Sequence, residues 1–254
     1  MSKLRKYSFH GIYDLVNLVE EHINSKIGFW NYNEDYFIEH SAKFSKDTLL
    51  HQYIVITALN FYGRDFRKNA DCYDHEYILS WYEKFVTYNI NTPKIVENND
   101  EEDLGAYEWF LENEDKFCDL FSEMSEEVFY VLFNNRKLLL KFNEIVSTHI
   151  YDKNLIYPSK YMTEKGTIKR CHIPVWVKKA VFYRDKGRCV FCNTDLTNLI
   201  NNYKKSNFDH IVPLDMYGVN DPCDPCNIQL TCETCNKSKS NIEVTTSERY
   251  FSWW

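Results

Sequence analysis

Apolar residues recur every three or four positions through much of the first 150 residues, and the recurrence then stops. DTLLHQYIVITALNFYG (47–63) carries such a stripe, with Asp47 where an N-cap belongs and Gly63 where a helix ends. DHEYILSWYEKFVTYNI (74–90) repeats it with aromatic and aliphatic residues at helical spacing. SEEVFYVLFNNRKLLLKFNEIVSTHI (125–150) is the longest run, with Ser125 at a cap position and acids in the first turn. The acidic, Asn-rich VENNDEED (96–103) predicts a solvated loop, opening a further helix in LGAYEWFLENEDKFCDLF (104–121). The aromatic stripes of these helices predict a core, and the chain shows no internal repeat.

The pattern changes at YPSKYMTEKGTIKR (157–170), where Pro, Gly and basic residues gather. A boundary there divides a mainly helical domain, 1–165, from a smaller domain, 166–254. Past it, Pro174 suits the first turn of a helix, VWVKKAVFYRDKGRC, with Val175, Val177, Ala180, Val181 and Phe182 inward. NFDHIVPL (207–214) reads as a short strand ended by Pro213. Neighbours on a strand point to opposite faces, so Asp209 and His210 face apart. The fold class expected is α+β.

Composition supports a real core: 44% of residues are hydrophobic and 17% aromatic. No apolar run reaches the roughly eighteen residues a membrane span needs, and the first residues lack a secretory pattern. A soluble, cytoplasmic protein is expected, with no membrane partner. The net charge of −7 conceals an asymmetry. Residues 1–165 hold 18 Lys and Arg against 28 Asp and Glu, a charge of −10; residues 166–254 hold 12 against 9, or +3. A polyanion would be met by the C-terminal domain.

The nine cysteines are an odd number, and in a reducing compartment clustered thiols are more often metal ligands than disulfides. CVFC (Cys189, Cys192) and CETC (Cys232, Cys235) are two Cys-x-x-Cys knuckles separated by a loop, the arrangement that sets four thiolates around a structural zinc. A third pair, Cys223 and Cys226 in NDPCDPCN, could replace one knuckle, bind a second metal with an outside partner, or be plain loop thiols. The first four are the favoured zinc set. Asp209, His210, Asn227 and Asn236 lie between the two knuckles or just beyond them.

The stretch RDKGRCVFC … FDHIVPL … NIQLTCETCNKSK resembles the HNH nuclease family in its zinc-stapled form. The likeness covers roughly residues 174–242; the first 165 residues resemble no family. It implies a ββα-metal core and a metal-dependent endonuclease that hydrolyses DNA phosphodiesters. His210 would be the general base that takes a proton from water, as imidazole can near neutral pH. Asp209 and Asn236 would hold Mg²⁺ or Mn²⁺ through hard oxygen atoms. Family members often carry His at the Asn236 position. Asn227 matches the middle Asn, which orients the catalytic strand and loop. The chain departs from the family in having Gly218 alone after the Asp-His strand, and in its Cys223–Cys226 loop.

Among the basic residues, Arg188 and Lys239 are the leading candidates for phosphate contacts, followed by Arg184 and Lys237. The rival reading is a zinc ribbon that grips nucleic acid or protein without cutting. A mere ribbon needs neither His210, Asp209 nor Asn236. The acidic helical domain suits a protein partner or self-association, and this layout occurs in bacterial restriction and phage-defence effectors.

Overall fold

The computed structural model describes residues 7–9, 11–29, 32–68, 75–93, 106–153, 155–164, 169, 171–199, 207–213, 222–240 and 243–247. Among these, the helices are α1 (Tyr13–Asn24), α2 (Glu34–Ala42), α3 (Leu49–Lys68), α4 (His75–Thr87), α5 (Ala106–Glu112), α6 (Glu114–Leu132), α7 (Arg136–Lys153), α8 (Val175–Arg184) and α9 (Glu233–Lys239). Strands β1 (Phe208–His210) and β2 (Ile228–Leu230) form an antiparallel pair, in register Phe208 to Leu230, Asp209 to Gln229 and His210 to Ile228. The described residues are thus mostly helical with one small sheet. No helix among the described residues is long and apolar enough to cross a membrane.

Three of the expected helices differ in their bounds, and the run 104–121 is divided at Asn113 between α5 and α6. The run 125–150 is broken into α6 and α7 because Asn135 caps a new start, its Oδ1 accepting from the Leu138 N–H at 3.0 Å. Ser125 therefore lies inside α6, where its hydroxyl donates to the Ser122 carbonyl. Gly63 does not end α3, which runs on to Lys68. A Cβ at Gly63 would stand 3.2 Å from the Phe110 ring, so glycine there serves packing rather than termination.

The chain divides into two compact units, Met1–Val19 with His51–Phe129, and Glu20–Leu50 with Tyr130–Trp254. The first has an aromatic core. Phe66 stacks on Phe110 with ring centroids 4.9 Å apart, and Phe117 meets Trp81, Phe85 and Trp109 edge-on at 5.1 to 5.4 Å. Buried Glu127 closes one side by accepting the N–H groups of Ser8 and Phe9 at 3.0 and 2.7 Å.

The expected break at 165/166 falls inside the second unit, because α7 and the first residue of α3 are bonded to the C-terminal segment. Asn143 of α7 donates to the Cys226 carbonyl at 3.1 Å. Arg136 reaches Asp185, just after α8, at 3.1 Å. The Asp224 carboxylate accepts the Leu49 N–H at 3.0 Å, and Cys223 is disulfide-bonded to Cys171. Around β1 and β2, a small core gathers Ile173, Val177, Val181, Phe182, Phe208, Ile228 and Leu230. Val175, expected inward, is 57% exposed.

Candidate functional site

The first knuckle follows from local chain geometry. After α8, Lys186 and Gly187 both take positive φ, turning the chain back. A Cβ at Gly187 would meet the Phe182 ring at 2.9 Å and Thr197 at 3.0 Å, so only glycine fits. The Cys189 N–H then donates to the Thr194 carbonyl, the Asn193 N–H returns to the Cys189 carbonyl, and Val190 is tied to Leu230 at 3.0 Å. That last bond sets the first knuckle beside β2. The second knuckle is the start of α9, where Cys232 is the N-cap and its sulfur accepts the Cys235 N–H at 3.4 Å.

These turns bring the sulfurs of Cys189, Cys192, Cys232 and Cys235 within 4.8 Å of one another, with Cys192 and Cys232 at 3.6 Å. Zinc–thiolate bonds of about 2.3 Å in a tetrahedron hold sulfurs roughly 3.8 Å apart. The four cysteines therefore fit a metal ion such as zinc. Hydrogen bonds from Thr194 hold the Cys192 thiol down to about 6, whereas burial raises those of Cys189 and Cys235. The Cys223–Cys226 pair is divided between other tasks. Cys223 is bonded to Cys171, and Cys226 is a fully buried thiol beside Thr48.

Asp209 and His210 lie on β1, on opposite faces as alternation requires, with Asp209 part-exposed and Phe208 and His210 buried. His210 is 9% exposed. Asp209 faces Gln229 across the sheet, and the Gln229 amide donates to its Oδ2 at 3.1 Å. Lys239, on α9, reaches the same Oδ2 at 3.0 Å and donates to the His210 carbonyl at 2.7 Å. Asn236 sits three residues before Lys239, on the face of α9 that carries that lysine to β1. Among the described residues, both donors to Asp209 converge on Oδ2, and Oδ1 accepts none.

Asn227, fully buried, clasps the chain just after His210. Its Oδ1 accepts from the Val212 N–H at 2.9 Å, its Nδ2 donates to the Val212 carbonyl at 3.2 Å, and its own carbonyl accepts from Ile211 at 2.8 Å. It holds backbone rather than facing a reacting group.

Two expected phosphate contacts are inside the protein. Lys239 is 4% exposed and bonded as described. Arg184, 7% exposed, pairs with Asp185 through two nitrogens at 2.9 and 3.0 Å and donates to the Ile228 carbonyl. Burial with carboxylate partners removes both from a surface role and makes them internal ties. Arg188 stays at the surface, 3.7 Å from Asp195, as does Lys237, paired with Glu233.

Three residues that organise the site escape a reading of sequence alone. Asp185 accepts the Leu230 N–H at 2.8 Å, Gln229 steers Asp209, and Asp224 precedes Asn227. Only Asp185 carries a signal, since an acid directly after Arg184 invites a pair. No family model, curated protein or solved structure matches the chain.

Proposed function

We propose that the C-terminal part of the chain is a metal-dependent HNH endonuclease that hydrolyses DNA phosphodiesters. The observation that carries this reading is the Asp209 carboxylate. It is gripped on Oδ2 by Lys239 and Gln229, and its Oδ1 is left as a hard oxygen for a divalent cation, beside His210 on the same strand. Asn236, three residues before Lys239 on α9, would supply the second oxygen. Mg²⁺ or Mn²⁺ held there would offset charge on the phosphate and the leaving oxygen. His210 takes the proton of the attacking water, and the Lys239 bond to its carbonyl and the Asn227 clasp fix its backbone on both sides. The product carries a 5′-phosphate and a 3′-hydroxyl.

Zinc on the four cysteines would tie the turn after α8 to the start of α9, the helix whose Lys239 reaches Asp209. Arg188 and Lys237 are the exposed cations for the DNA backbone. The acidic helical part, residues 1–165, suits a protein partner or a second copy, with Tyr13, Phe61, Val86 and Leu111 all more than 40% exposed. A role in restriction or phage defence fits this layout.

The test is nicking of supercoiled plasmid by the full chain over a titration of Mg²⁺ and Mn²⁺. Asp209→Ala and Asn236→Ala should move the cation dependence to higher concentrations. A chain that shifts DNA on a gel but cuts under none of these conditions would be a zinc-ribbon binding module instead.

A further inference from the structure

Asp224 is 1% exposed, and its carboxylate makes two bonds that lead in opposite directions. Oδ2 accepts the Leu49 N–H at 3.0 Å, the first residue of α3. Oδ1 accepts the Cys226 N–H at 2.7 Å, while the Asp224 carbonyl accepts the Asn227 N–H at 3.0 Å. A carboxylate suits both positions, because the opening N–H groups of a helix have no partner within it and carry partial positive charge. The carboxylate thereby joins the N-terminus of a twenty-residue helix to the tight turn Pro225–Asn227, whose last residue clasps Ile211 and Val212.

The rest of the turn is held as firmly. Cys223 donates to the Ser41 carbonyl at 2.8 Å, and Asn143 of α7 holds the Cys226 carbonyl. No solvent-facing group takes part: Asp224, Cys226 and Asn227 are each 0 to 1% exposed. The path from the start of α3 to the segment after His210 is therefore an unbroken series of buried hydrogen bonds.

We infer that Asp224 is a positioning residue for the candidate hydrolytic site, using the N-terminus of α3 as the fixed point that sets Asn227, and through it the strand bearing Asp209 and His210. This rests on the nuclease reading for its activity readout but not for its structural one. Losing the carboxylate loosens the Asn227 clasp, so a bound phosphate meets a misplaced cation ligand and base. The loss falls on the chemical step rather than on binding.

The experiment compares full-length wild type, Asp224→Ala and Asp224→Asn by amide hydrogen exchange and by plasmid nicking. In Asp224→Ala, the Ile211 and Val212 amides should exchange at least tenfold faster, with the Val190 amide, bonded to Leu230, unchanged. The nicking kcat should fall at least tenfold with KM within twofold. Asp224→Asn, which retains one carbonyl acceptor, should recover part of both losses. Should Asp224→Ala not fold, Asp224→Asn alone carries the comparison. Unchanged Ile211 and Val212 exchange in a folded variant overturns the inference, as does uniform loss of protection that includes Val190. A wild-type chain that never nicks DNA overturns the nuclease reading alone, and exchange still decides the role of Asp224.

Discussion

Replacing Asp185 by Leu should be among the most damaging single changes in the second unit. The carboxylate is fully buried and accepts from three groups: Arg136 at 3.1 Å, Arg184 at 2.9 and 3.0 Å, and the Leu230 N–H at 2.8 Å. Its removal takes a buried counter-charge from two guanidinium groups, each about 1% exposed at the side chain. Breaking a buried pair by removing one partner costs about 3–5 kcal/mol. The orphaned Leu230 N–H adds about 1–3 kcal/mol where water does not reach it. We take about 4 kcal/mol, the lower end of that sum, as the expected loss, a large share of the roughly 5–15 kcal/mol that holds a domain folded. With a urea m-value of about 2 kcal/mol/M, the unfolding midpoint should fall by about 2 M. A companion variant, Arg136→Met with Arg184→Met and Asp185→Leu, removes all three charges. It should be less destabilised than Asp185→Leu alone, because neither guanidinium is left buried without Asp185, although the Ile228 and Ser247 carbonyls lose their donors. A loss under about 1 kcal/mol in the single variant would refute the reasoning, as would a triple variant worse than the single one.

Three further outcomes follow from the same unit. Burial holds the His149 pKa below its ordinary value, so as pH falls the unfolded chain takes up that proton first. Stability should therefore decline as pH drops below about 7, and His149→Phe, set among Phe29, Tyr32 and Phe37, should flatten the decline in a series of urea curves. Reduction of the Cys171–Cys223 bond, whose ends are 52 residues apart, should release two further thiols to a thiol reagent and cost up to about 4 kcal/mol in urea unfolding. Elemental analysis should find about one zinc per chain, lost in Cys189→Ser and Cys232→Ser but retained in Cys223→Ser; loss of zinc in Cys223→Ser would contradict the assigned ligand set.

Much of the candidate site was legible because its signals are local. Cys-x-x-Cys spacing fixes a knuckle within four residues, and strand alternation alone puts Asp209 and His210 on opposite faces. The four cysteines whose sulfurs converge are those chosen from spacing. Surface chemistry was harder to read, since a basic residue looks the same whether it is solvated or buried with a distant acid. Lys239 meets Asp209 thirty residues earlier and Arg184 shares Asp185 with Arg136 of α7, so neither is available to phosphate. The partners of Asp224 and Cys223 lie at Leu49 and Cys171, and no spacing rule reaches that far. For the same reason a boundary drawn from composition at 165/166 cut through a unit that α7 and the start of α3 share with the sheet. The break between α6 and α7 did have a local sign, the Asn134–Asn135 pair, but the apolar stripe on either side masks it.

Hydrolysis of a phosphodiester by the site on the strand bearing Asp209 and His210 is best tested by single-turnover cleavage of a labelled DNA duplex. Wild type and His210→Ala would be run side by side in Mg²⁺ or Mn²⁺, in water enriched in ¹⁸O, with the fragment ends analysed. Cleavage is expected from the wild type alone, with one ¹⁸O atom in each new 5′-phosphate and a 3′-hydroxyl opposite. Equal cleavage by folded, zinc-loaded His210→Ala, or intact strands with both proteins under both cations, would contradict it.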